Sequence, residues 1–120
     1  MKFFLAAFVL LVSFPASAEI SGNAKQEISH LFSHLKSSGC EFNRNGSGHT
    51  ADAAVTHLNN KYEYLLGKNL ITTTEDFIDR AASRSSMSHK AYIVKCGDKE
   101  TKSAVWFKEE LTKFRISSCK

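Results

Sequence analysis

"CEFNRNGSGHT" occupies residues 40–50, between two stretches whose periodicity is helical. It holds one arginine, two asparagines, two glycines and a histidine, with Phe42 as its one large apolar side chain. Upstream, Ile28, Leu31, Phe32 and Leu35 recur at i, i+3, i+4 and i+7, the apolar stripe of a helix over residues 24–38. Gly39 ends that helix as a left-handed cap. Downstream, Thr50 caps a second helix over residues 51–66, with Asp52 in its positive first turn. That helix buries Ala51, Ala54, Leu58, Tyr62 and Leu65, and Gly67 stops it. The quoted stretch is then a connection of roughly ten residues, longer than most helix–helix connections. Asn45-Gly46 supplies a tight turn within it, and Gly48 allows close backbone approach.

Beyond the second helix the pattern stays mostly helical. Thr72 and Glu75 have capping-box spacing, with Thr74 as the other candidate cap of a third helix carrying Phe77, Ile78, Ala81 and Ala82 inward. Asp76 and Arg80 stand at i, i+4 for an ion pair. A polar break, SRSSMSH, precedes a β-prone run from Tyr92 to Cys96, which ends in a Gly97-Asp98 turn. The last helix covers residues 101–115, with Ala104, Phe107, Leu111 and Phe114 inward. The expected class is α+β, mostly α: about four helices and a small β element.

The chain opens with Lys2, an apolar run over residues 3–14, Pro15 and then Ala16-Ser17-Ala18. These are the parts of a secretory signal peptide, too short to span a bilayer, with cleavage expected after Ala18. Residues 19–120 are expected to form one small domain with a modest core, periplasmic or secreted. No later segment is apolar enough for stable membrane insertion. The formal charge of +4 falls to +3 without Lys2, and the basic residues are interleaved with acids. That is a solvated surface and no nucleic-acid footprint. In an oxidising compartment two of Cys40, Cys96 and Cys119 should pair. Cys119 lies at a fraying terminus, so Cys40 with Cys96 is the expected disulfide.

His30 and His34 have the H-x-x-x-H spacing of helical metal ligands, with Glu27 on the same face. They lie opposite the apolar stripe, and no H-E-x-x-H motif accompanies them, so exposed polar histidines and no metal or cofactor are expected. A Ser85 or Ser86 nucleophile with His57 as base lacks any G-x-S-x-G context. Trp106 points away from the last helix's inner face and either flanks the core or marks a partner contact.

Arg44 and His49 stand before the positive N-terminus of the second helix, an arrangement suited to an anion or carboxylate. His57, Lys61, Tyr64 and Lys68 continue along one flank. A structural loop whose arginine pairs with a nearby acid is the competing account.

"RNGSGHTADAAVTHL" and "TTEDFIDRAASRSSMSHKAYIVK" resemble a family of small exported bacterial proteins that includes the YfeK-like proteins, a domain of unknown function. The resemblance spans residues 28–95 and places Arg44, Asn45, Gly46, His49, His57, Ser86, Lys90 and Tyr92 on the family's pattern. It implies a periplasmic address and brings no activity with it. His89 stands where that pattern has glycine, which argues against a sharp turn. With Lys61 added from the helix flank, these residues form the candidate recognition surface of a periplasmic binding or interaction protein. Its partner would be an anionic small molecule or an envelope protein. The alternatives are an inhibitor or immunity-type protein for an envelope enzyme, and a small hydrolase using His49 or His57.

Overall fold

A computed structural model of the protein describes residues 19–119; the expected signal peptide lies outside the described residues. The first element is helix α1 (Gly22–Ser37), capped by the Ser21 side chain. It leads into a hairpin, β1 (Glu41–Arg44) and β2 (Ser47–His49). Helix α2 (Ala51–Gly67), short helix α3 (Thr74–Arg80), a second hairpin, β3 (Ile93–Cys96) and β4 (Lys99–Lys102), and helix α4 (Ser103–Ser118) complete the chain. The strands form one antiparallel sheet in the order β2-β1-β3-β4. The fold is α+β.

The first correction falls on the opening stretch: it is a hairpin, not a helix–helix connection. Asn45 and Gly46 both take positive φ, 53° and 81°, the paired left-handed conformation of a type I′ turn. That turn's twist matches paired strands, so Arg44 faces Ser47 and Phe42 faces His49. β1 also pairs with β3, setting Phe42 against Val94, and both are buried. The second correction is at the other end of the sheet. Lys99–Lys102 is a strand, and α4 starts only at Ser103. Lys99, Glu100 and Lys102 have little apolar character, so a solvated edge strand passed for a turn and a helix start.

The turn chemistry elsewhere is refined by the structure. Gly39 is left-handed as expected, with φ 68°. Gly67 is helical instead, and Asn69 at φ 57° closes α2 while Leu70 N–H donates to the Leu65 carbonyl. The capping box of α3 is Thr73 with Asp76, one residue later than Thr72 with Glu75. Asp76 is thereby held by the backbone and hydroxyl of Thr72 and by the backbone of Thr73, in place of an ion pair with Arg80.

The buried cluster draws on every helix and on both inner strands. Leu31, Leu35, Leu58, Ile71, Phe77, Ile78, Val94 and Phe107 are all fully buried within it. α1 lies at its centre, against α2, α3 and α4. Cys40, just after α1, is disulfide-bonded to Cys96 at the end of β3, and Cys119 is free and exposed.

The α1–α4 seam overturns the exposed-histidine expectation. His30 Nε2 lies 3.0 Å and His34 Nε2 3.4 Å from the two carboxylate oxygens of Glu110. His30 stacks on Phe114, the His34 ring lies 4.7 Å from that of Trp106 and tilted to it, and Trp106 is half-buried against the core's flank. Among the described residues no group of three His, Cys, Asp or Glu is arranged to hold a metal ion. Glu27 serves elsewhere. Its carboxylate accepts from Arg115 Nε at 2.7 Å and from Thr74 Oγ1 at 2.6 Å, while Arg115 Nη1 reaches Glu75 at 2.6 Å. This clamp ties α1, α3 and α4 together.

The Arg115 hydrogen bond holds both Glu27 and Glu75 below the ordinary carboxylate value of 4.5. A carboxylate whose folded pKa is depressed contributes stability that is complete above the unfolded value. That contribution disappears as pH falls through the folded one. Arg115→Ala should therefore shrink the stability difference between pH 7 and pH 3, read from urea midpoints. An unchanged pH profile would remove the clamp from this role.

Candidate functional site

The type I′ turn fixes which side chains meet. Register places Arg44, Ser47 and His49 on the same face of the hairpin as buried Phe42, the face toward α2. From α2 come His57 and Lys61, one turn apart on the half-buried flank. From the chain before β3 come Ser85, Ser86, Met87 and Tyr92. With Asn45 these ten side chains line a cleft of about 450 Å³.

Its hydrogen bonds settle the protonation state of the central imidazole. Arg44 Nη1 contacts His57 Nδ1 at 2.5 Å. A guanidinium only donates, so Nδ1 must be the unprotonated acceptor and Nε2 carries the hydrogen. Nε2 then donates to Tyr92 Oη at 3.3 Å. Lys61 Nζ donates to the same oxygen at 3.3 Å and to the Arg84 carbonyl at 2.7 Å. Tyr92 Oη receives two hydrogen bonds, which frees its own hydrogen. Lys61 keeps a third N–H, and Arg44 keeps the rest of its fork. The unspent groups of these three side chains are all donors.

Burial pushes the His57 pKa below the ordinary 6.5, and the charges of Arg44, Lys61 and His49 add to that. Burial also lowers Lys61, with Arg84 adding to it, and raises Tyr92, against a smaller opposing effect of Arg44. A depressed histidine stabilises the fold in its neutral form. That stability is complete above pH 6.5 and is lost as pH falls through the folded value. Proton NMR should show His57 titrating below 6.5. In Arg44→Met the midpoint should rise only part of the way back, because burial is the larger cause. A midpoint at or above 6.5 in the native protein would contradict the neutral, Arg44-bonded imidazole.

The loop over residues 85–90 is braced onto the hairpin. Asn45 Nδ2 donates to Ser85 Oγ at 3.4 Å, and Ser88 Oγ donates to Asn45 Oδ1. Ser85 Oγ also accepts from the backbone N–H groups of Met87 and Ser88. His89 takes φ 62°, so the sharp turn is made without the glycine. This brace counts against a serine nucleophile. Ser85 is only 5% exposed and its Oγ already accepts from three donors, and both ring nitrogens of His57 are engaged.

Of the residues singled out in the sequence, Arg44, Asn45, His49, His57, Lys61, Ser86 and Tyr92 meet at the cleft. Gly46 shapes the turn without lining the cleft, and Lys90 is exposed and does not line it. Tyr64 and Lys68 leave the flank and pair with each other, the Lys68 ammonium 5.8 Å from the Tyr64 ring. Ser47 and Met87 were not singled out. Ser47 follows from Arg44 once Asn-Gly is read as a type I′ turn, whereas nothing local marks Met87.

Fold and site together describe an α+β protein with a cationic cleft between a hairpin and a helix. The profile of a family described as "Family of unknown function (DUF5329)" matches residues 22–115, and the chain belongs to that family. It is 37% identical over 94 residues to "Uncharacterized protein YfeK" of Salmonella typhimurium, covering 76% of this chain and 75% of the relative. No solved structure matches.

Proposed function

We propose that the protein is a recognition module of the cell envelope whose cleft binds an anionic group. One observation carries this reading: Arg44, Lys61, His49 and His57 line the cleft, and among the described residues no aspartate or glutamate does. Among the described residues Arg44 makes one side-chain hydrogen bond, to a neutral imidazole, so no carboxylate there neutralises its charge. Charge-assisted bonds from such donors to a carboxylate or phosphate are the stronger class of hydrogen bond. The disulfide supports an oxidising compartment after removal of the predicted signal, and no described helix is long and apolar enough to cross a membrane.

The test is a pair of variants. Arg44→Ala should keep its melting behaviour within about 0.5–1 kcal/mol of the native protein, because the side chain is half-buried and outside the apolar cluster. It should also weaken titratable binding of acetate or inorganic phosphate, followed by NMR shifts at His57 and Tyr92. Lys61→Met should do the same. Anion binding undiminished in both variants would place the site elsewhere.

A second reading, an inhibitor or immunity-type protein, is favoured by Met87. This side chain is 93% exposed at the lip of the cleft, where a protein partner would cover it.

A further inference from the structure

The two edges of the sheet are protected differently. β4 carries Lys99, Glu100 and Lys102, the charged side chains that keep an edge from pairing with another chain. β2 is Ser-Gly-His and carries none that is permanently charged. The register fixes which of its backbone groups are free. In a two-residue hairpin the residues flanking the turn exchange both hydrogen bonds, so Arg44 bonds Ser47 and the next such pair is Phe42 with His49. Gly48 lies between them, and its N–H and C=O point outward from the sheet edge.

This unprotected donor and acceptor lie beside the cationic cleft, which Ser47 and His49 both line. The sign of charge differs on the two faces of β2. On the outer face the Glu41 side chain lies directly over Gly48, where a Cβ would meet its carboxylate oxygen at 1.5 Å. On the inner face stand Arg44, His57 and Lys61. The cleft's volume of about 450 Å³ falls in the range of sites that hold organic ligands, roughly 300–1,000 Å³, far more than a bare anion fills.

Resting on the anion-binding reading, we infer that the occupant is the carboxyl-terminal end of an extended peptide. In this arrangement the peptide main chain exchanges two hydrogen bonds with the outward N–H and C=O of Gly48, and its terminal carboxylate is received by Arg44, Lys61 and the Tyr92 hydroxyl. Strand addition supplies main-chain affinity, while the carboxylate selects a chain end over an internal segment. A single outward-facing residue limits the ladder to the last two or three residues of the ligand. Met87, exposed across the cleft, offers them an apolar contact.

The test is a titration of the native mature protein with Ala-Ala-Ala as the free acid, as the C-terminal amide, and with the amide nitrogen of its central residue methylated. Acetate is the reference anion. The free acid should bind at least about tenfold more tightly than the amide, the scale of one lost charge-assisted bond, and more tightly than acetate. The Gly48 amide proton should shift downfield with the free acid and not with acetate. N-methylation should weaken binding without any change to the protein, so the result does not depend on a variant that might misfold. A hexapeptide ending in the same three residues should match the tripeptide. If acetate binds and the free acid binds no better, the peptide inference is overturned and the anion site stands. If neither binds, both fall.

Discussion

Replacing Cys40 and Cys96 together by alanine is expected to lower stability by about 4 kcal/mol, the largest effect of any change not aimed at the core's centre. The disulfide joins positions 56 residues apart, and closing a loop of that size removes denatured-chain entropy of this magnitude. The bond also staples the end of α1 to the end of β3. Those are the two points between which the first hairpin must be held for Arg44 to reach His57. Urea unfolding of the oxidised protein and the double variant measures the difference. A loss under about 1 kcal/mol would mean that packing, not the cross-link, holds the hairpin in place. Both cysteines are replaced at once so that no unpaired buried thiol complicates the comparison, since Cys40 is only 8% exposed.

Phe77→Ala is expected to cost about 3–5 kcal/mol, the range for truncating a buried aromatic ring. Phe77 is fully buried, with its ring 5.2 Å from Phe32, 5.4 Å from Tyr62 and 6.3 Å from Phe107. Those partners come from α1, α2 and α4, so one side chain from α3 contacts all three longer helices. α3 has only seven residues, too few to be helical on its own, and it depends on this anchor and on the Thr73–Asp76 box. Leu58→Ala, at a fully buried position of α2, should fall at about 2–5 kcal/mol. Arg44→Ala is the control that should barely move. Chemical denaturation orders the three, and a Phe77→Ala loss no larger than that of Arg44→Ala would refute this account of the core.

Helix positions were legible because their signal is local and repetitive. Thr50 caps α2 where an N-cap was expected, and the Ile28–Leu35 stripe is the buried stripe of α1. The strands were less legible because pairing is not local. β1 and β2 together hold one buried apolar residue, Phe42, so no alternating pattern announces them. The available sign was Asn45-Gly46, the strongest short hairpin signal, set between polar residues that gave it no support. β4 was lost for the same reason.

Charge and aromatic contacts across the helices were beyond the reach of periodicity. An angular plot puts His30 and His34 opposite the apolar stripe, and so they are. It contains nothing about α4 arriving on that side with Trp106, Glu110 and Phe114 in register. Likewise Glu27 belongs to Arg115, 88 residues away.

The sequence by itself determined the helical framework, the Cys40–Cys96 pairing and most of the polar residues that gather at the cleft. The helices and the disulfide rest on spacing, capping chemistry and elimination among few candidates, and Arg44, His49, His57 and Lys61 on their placement around the second helix; Ser86 and Tyr92 came from the family resemblance. Only the tertiary structure decided that residues 40–50 are a hairpin, because strand identity depends on β3 lying alongside β1. It also decided that His57 is a neutral acceptor for Arg44. A side chain's protonation state is set by what surrounds it, and those surroundings come from β1, α2 and Tyr92, which only folding brings together.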